Sequence, residues 1–232
     1  MPRTLMHVTG DTVDDIQDAR AIGGTPTSVR EMLRQTNASR GTNYDMAIVN
    51  SEYPVIAGRA PASATSDGYV IVYDRNRVTP IGQPTFYQPE QFLQGLAQAR
   101  PPVQLQFQIN GADPATTFSF FTWHAEPQQA LAQNYLATFD RLMDAAGGHW
   151  VLAGDLNVQT AGLRGAMPDL PDNQELHHYD NSLDYIAADA PVRNFIRDDN
   201  TAGMQLWWRQ LLSDAIHYAL LAQVNFPKGR RG

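Results

Sequence analysis

The 232-residue chain contains no cysteine. That removes disulfide staples, thiolate metal sites and a cysteine nucleophile, and it leaves the compartment open, because secreted proteins can dispense with disulfides. Lysine is nearly absent as well: Lys228 is the only one, and all other fixed positive charge is arginine. With 17 basic and 24 acidic residues the formal charge is −7. Such a chain has no basic footprint for tight, non-specific nucleic-acid binding, and a phosphate substrate would require a bridging cation. No run of about 18 apolar residues occurs, so nothing reads as a membrane span. Residues 1–9 lack the apolar core and cleavage pattern of a signal peptide. A sequence can begin after such a peptide is removed, so secretion remains compatible with this start.

What is present is a globular composition, 43% hydrophobic, 18% charged and 9% aromatic, which places the chain far from disordered or collagen-like sequences. Repeats and low-complexity tracts are missing, and proline and glycine are scattered between short periodic segments. Residues 1–232 therefore read as one domain large enough to build a layered core. Strands are expected at 5–9, 45–50, 68–73, 103–109, 117–122, 149–153, 183–187 and 216–224. Helical spacing predicts helices at 26–35, where Thr25 can cap and Pro26 suits the first turn, and at 90–99. The clearest helix is 127–146, with Ala130, Leu131, Tyr135, Phe139, Leu142 and Met143 as its apolar face and Gly147 and Gly148 ending it. Residues 160–181 read as loop, and the whole as α/β layers around sheets.

Polar groups recur where these apolar strands end. The segment Trp150 to Asn157 is a buried strand closing in glycine, carboxylate, leucine and carboxamide. Asp155 there can orient a water or bind a hard cation, and Asn157 can donate to a phosphate oxygen. The competing reading is a turn in which both side chains merely bond the local backbone. Upstream, Phe120, Phe121, Thr122 and Trp123 lead into His124, placed for acid–base work or phosphate contact. Asp184 stands inside the apolar strand Leu183, Tyr185, Ile186, where an unpaired carboxylate is costly. Asp214 and His217 precede the last apolar run.

In this order and spacing the segments resemble the endonuclease/exonuclease/phosphatase superfamily, the deoxyribonuclease I-like fold, and most of all the cytolethal distending toxin catalytic subunit family. The resemblance runs from about His7 to His217 and includes Ser28 to Leu33, Arg100 and Pro101, and the GDLN, LDYI and SD segments. It implies a four-layered α/β sandwich, two central mixed β-sheets flanked by helices, with the site at one sheet edge. It also implies hydrolysis of a phosphodiester, assisted by Mg²⁺ or Mn²⁺. By the same resemblance His124 faces the scissile phosphate and leaving oxygen, Asp155 positions water or metal, and Asn157 is the phosphate-binding amide. Asp184 orients His124, and Asp214 is the acid that often contacts metal.

Other positions depart from that pattern. His7 stands where the family has an asparagine, Ser51 where it has the metal-binding glutamate, Gln106 where it has an arginine, and Ala215 where it has the terminal histidine. Glu52 is one residue late, which turns it to the other face of the strand unless a bulge intervenes. His217, two residues late, is displaced by roughly 6–7 Å along an extended chain. A rearranged metal centre of His7, Glu52 and Asp214, suited to manganese or zinc, is the alternative.

The functions expected are therefore a nuclease with a partly degraded centre, a catalytically impaired homologue that binds a toxin-assembly protein, or a phosphatase of phosphoinositides or other phosphomonoesters. The partner is accordingly DNA, a phosphorylated small molecule or a protein, and the resemblance implies a secreted bacterial protein. His177, His178, Trp207, Trp208 and the acidic run Asp11, Asp14, Asp15 and Asp18 read as surface or packing residues.

Overall fold

The computed structural model describes residues 6–10, 29–52, 66–87, 101–112, 115–170, 183–190, 192–197 and 220–224. The helix expected at 90–99, His177, His178, Trp207, Trp208, the acidic run at 11–18, Asp214, Ala215 and His217 lie outside the described residues.

The described strands are β1 (Met6–Gly10), β2 (Tyr44–Glu52), β3 (Ser66–Asp74), β4 (Val78–Phe86), β5 (Val103–Ile109), β6 (Thr117–Thr122), β7 (His149–Asp155), β8 (Asp184–Ala188), β9 (Val192–Arg197) and β10 (Leu220–Val224). The helices are α1 (Val29–Arg40), α2 (Gln129–Ala146) and α3 (Thr160–Ala166). Strands β1-β3-β2 form an antiparallel sheet, β4-β5-β6-β7-β8 a mixed one, and β9-β10 a two-stranded sheet. The mixed character comes from one parallel pair, β6 with β7, joined by the crossover helix α2.

Alternation along the strands explains the layers. Val49, Tyr69, Ile71 and Tyr73 of the three-stranded sheet pack with Leu105, Phe107, Phe118, Phe120, Val151 and Ala153 of the five-stranded one. The intervening residues of the larger sheet, Phe121, Trp150 and Leu152, face the other way and meet Tyr135, Leu136 and Phe139 of α2 and Leu163 of α3. Helix α1 lies against β2 with Leu33 buried, so the order of layers is helix, sheet, sheet, helix. This is the deoxyribonuclease I-like α/β sandwich.

Three segments depart from the sequence reading. Strand β4 carries Pro80, Gly82 and Pro84, which argue against a strand, and it is tolerated because among the described residues it is the edge of its sheet, with a register shift between Ile81 and Thr85. Helix α3 occupies part of the expected loop; its Gly162 sits where a side chain would strike Gln133 of α2. Strand β9 was not expected at all. The stripe of α2 is also rotated from the predicted one: Ala130 is exposed, and Ala132, Leu136 and Asp140 are buried.

Asp140 is the anomaly of that stripe. Burial, and then the neighbouring Asp144 and Asp169 carboxylates, push its carboxyl up to about 6 from the usual 3.8. Because the folded state holds this proton more tightly than the unfolded chain, the associated stability is complete at low pH and is lost as pH rises through the interval from about 4 to 6. The loss is on the order of 2–3 kcal/mol. In chelator-containing buffer, Asp140→Asn is expected to raise the urea midpoint at pH 7.5 and to have little effect at pH 4.5. An equal effect at both pH values would show that ionisation of Asp140 is not the source.

Candidate functional site

Strand β6 does not stop its pairing at Thr122. The Trp123 N–H donates to the Ala153 carbonyl at 3.0 Å and the Ala125 N–H to the Asp155 carbonyl at 2.8 Å, so the parallel register continues and sets His124 beside Asp155. On the other side of β7, Asp155 pairs with Asp184. His124, Asp155 and Asp184 therefore form one row across three adjacent chains, about 5 Å apart from strand to strand. By alternation Asp155 shares the face of Val151 and Ala153, which looks toward the three-stranded sheet. Position 184 falls on that same face by pairing.

The turn after β7 fixes the next residue. Asp155 is 5% exposed, and its Oδ1 accepts the Asn157 backbone N–H at 2.9 Å. Asn157 has φ 52°, in the left-handed region that asparagine tolerates better than most residues. Its Nδ2 donates to the Ala125 carbonyl at 2.8 Å, which ties the end of β7 to the end of β6. The local-turn reading of Asp155 and Asn157 is thus realised in the fold, and the same bonds hold both residues beside His124. Past the turn, the Tyr185 hydroxyl donates to the Val158 carbonyl at 2.8 Å. The Leu156 N–H donates to the Leu183 carbonyl at 2.8 Å, extending the β7–β8 ladder.

The three-stranded sheet reaches this edge through Tyr69, whose hydroxyl accepts the His124 backbone N–H at 3.4 Å. Tyr69 is fully buried, and nothing in the sequence distinguished it from an ordinary core tyrosine. Position 67, an aspartate, lies one alternation further toward the same edge and pairs with Ser51. Glu126, two residues after His124, is also buried at 6% exposure. The acid among apolar neighbours there was the available signal for it.

The register corrects the rearranged metal centre. Strands β2 and β3 pair without interruption from Tyr44↔Asp74 to Glu52↔Ser66. No bulge returns Glu52 to the face of Val49, and it is Ser51 that occupies that face position. His7 pairs with Ile71, which pairs with Ala47, so the His7 row is about 17 Å along the strands from Glu52, with the two positions on opposite faces. One ion with bonds of about 2 Å cannot join them. Gln106 sits in the middle of β5, exposed, paired with Ser119 and Ile81.

No family model and no curated protein matches the chain. Solved structures do. An endonuclease/exonuclease/phosphatase family protein from Leptotrichia buccalis C-1013-b is similar with a TM-score of 0.53 and 14% identity over 95% of this chain and 85% of that one. A functionally unknown conserved protein from Enterococcus faecalis V583 gives 0.51 and 14%, over 79% and 77% of the two chains. A mannosyl-6-phosphatase from Bacteroides thetaiotaomicron VPI-5482 gives 0.50 and 15%, over 85% and 82%. At these identities the likeness is one of fold.

The whole row depends on Gly154. Its φ of 149° suits glycine, and a Cβ there would overlap the Trp123 carbonyl oxygen. Gly154→Ala is expected to cost more than about 3 kcal/mol in urea unfolding, since backbone cannot move aside as a side chain tip can. Gly165→Ala, in open space on α3, is expected to be neutral or stabilising by about 0.5–1 kcal/mol. Equal effects at the two glycines would refute the close approach of β6 and β7.

Proposed function

We propose that the chain is a divalent-metal-dependent hydrolase of phosphate esters, with phosphodiesters of DNA as first substrate and a centre that has lost part of its usual equipment. The observation supporting this reading is the row of His124, Asp155 and Asp184 with Asn157 at its end. In this reading His124 meets the scissile phosphate and the leaving oxygen, Asp184 orients His124, and the Asn157 amide contacts a phosphate oxygen. Asp155 positions the attacking water or the cation. The attack forms one P–O bond and breaks the ester P–O bond, the leaving oxygen taking a proton from an acid such as His124.

The donor set of this edge is carboxylate and carboxamide oxygen, which fits a hard cation such as Mg²⁺ or Mn²⁺. Asp155 would hold it, joined by Asp214 as the family resemblance implies, and its chemistry there would be neutralisation of charge developing on the phosphate. His7 and Glu52 are left out of that set.

A second reading is favoured by the face that Ser51 occupies and by Gln106: the chain keeps the fold but has lost the reaction, and binds a protein partner, as a toxin-assembly subunit would. The resemblance to the toxin subunit, with secretion from a bacterium, belongs to this reading and to the nuclease reading alike. A phosphomonoester substrate is favoured by the likeness to the mannosyl-6-phosphatase.

The test is nicking of supercoiled plasmid, beside hydrolysis of a phosphomonoester, with Mg²⁺, Mn²⁺ or chelator. Metal-dependent turnover is expected to fall at least about 100-fold in His124→Ala and in Asp155→Asn, with far-UV circular dichroism preserved. Turnover unchanged in both variants would overturn the residue roles. No turnover on either substrate with either metal would overturn the hydrolase reading in favour of the binding one.

A further inference from the structure

Glu126 is an acid in the interior, 6% exposed, where the chain passes from the end of β6 into α2. Its direction follows from the residues on either side. Phe121, Trp123 and Ala125 all pack into the cluster around α2, so the alternation of β6 continues as far as Ala125. Pro127 then restricts residue 126 to an extended backbone. Residues 122, 124 and 126 accordingly share the opposite face, which is also that of Asp155, and Glu126 stands about 6.5–7 Å beyond His124 along the chain. The other contacts of Glu126 leave its Oε1 enclosed and, among the described residues, with no hydrogen-bond donor, so a cap on the first turn of α2 does not account for this oxygen. Buried carboxylate oxygens are satisfied by donors or by a bound cation.

The three-stranded sheet lies opposite. Tyr69 pairs with Val49 and reaches the His124 backbone through its hydroxyl, so that row of the smaller sheet meets the larger one at His124. One alternation further toward the edge of the smaller sheet is the pair of positions 51 and 67, and one alternation further along the extension of β6 is Glu126. Position 51 is where the family resemblance places a metal-binding glutamate, and this chain has serine there.

We infer that Glu126 supplies the cation-binding carboxylate that position 51 lacks, so that a divalent ion at the sheet edge is shared by Glu126 and Asp155. The role rests on the cation already proposed at Asp155, whose partner carboxylate then comes from the larger sheet rather than the smaller. Asp155 is itself 5% exposed, and two buried carboxylates on one face repel each other unless a cation joins them. One or two carboxylates are what Mg²⁺ commonly takes from a protein, with water and phosphate oxygens in its other positions. Glu52, on the other face of β2, is not required.

The test is binding of Mn²⁺ to the full chain after stripping with chelator, followed by electron paramagnetic resonance, with Mg²⁺ as competitor. Glu126→Gln, which keeps the shape of the side chain, is expected to weaken at least about tenfold the same Mn²⁺ that Asp155→Asn weakens. Glu52→Gln should leave that affinity unchanged. Thermal melting supplies a reading that a purely structural glutamate would not move. Mn²⁺ at roughly 100 times the Kd of the intact chain is expected to raise its Tm by about 5 °C, and that of Glu126→Gln by no more than about half as much. In chelator Glu126→Gln is expected to melt no lower than the intact chain, since it removes a buried charge. A lower Tm there, or a variant that does not fold, would show a structural glutamate and overturn the role. Affinity that falls in Asp155→Asn and is unchanged in Glu126→Gln would overturn the role of Glu126 and leave the proposed cation in place. A fall in Glu126→Gln with Asp155→Asn unchanged would overturn the sharing of one ion. Equal affinity in the intact chain and both variants, or no Mn²⁺ bound at all, would overturn the cation at Asp155 and the role of Glu126 together.

Discussion

Where β7 leaves the sheet, its backbone passes against the carbonyl of Trp123 so closely that residue 154 cannot carry a side chain. This contact lets the parallel pairing of β6 and β7 run past the end of β6 proper, through Ala125 and Asp155. Everything at the edge follows from that extension. His124 falls beside Asp155 because the ladder continues, and Asn157 turns back to the Ala125 carbonyl because the two chain ends are already adjacent. Its left-handed backbone is held from both sides, by Asp155 and by Ala125, so its conformational cost is met by two hydrogen bonds.

The strands that could be read directly are those in which alternation and composition agree. Strands β5 and β6 have the predicted limits, and β7 runs two residues past its own. Strand β4 was hidden because two prolines and a glycine are forbidden only in the interior of a sheet, and edge position is a property of the whole topology. Helix α3 was hidden for a related reason. Its two glycines lower helix propensity, and a Cβ at Gly162 would meet closely only the amide tip of the Gln133 side chain on α2, which can move aside. The buried aspartate of α2 misled the stripe by giving the core face a polar member, so that Ala130 stood in for residues on the neighbouring face.

The site was legible in part, and the division is physical. His124, Asp155, Asn157 and Asp184 could be picked out because each is a polar residue at or near an end of an apolar strand, which is a local pattern. Whether they meet depends on the β6–β7 register, which joins residues 31 apart in sequence, as Phe118 and His149 do. The same dependence on register removed His7 and Glu52 as joint ligands: each is plausible alone, and only the pairing through Ile71 and Ala47 shows the distance between them. Tyr69 could not have been found, since its hydroxyl acts across the gap between two sheets.

Strand β4, finally, bounds the larger sheet on one side among the described strands. An outermost strand with a full row of amide hydrogens is a template for another chain to add to. Pro80 and Pro84 have no amide hydrogen to offer, and the irregularity between Ile81 and Thr85 breaks the row further. Among the described strands, β4 therefore offers an added chain only an interrupted row of amide hydrogens, which disfavours strand addition on that side.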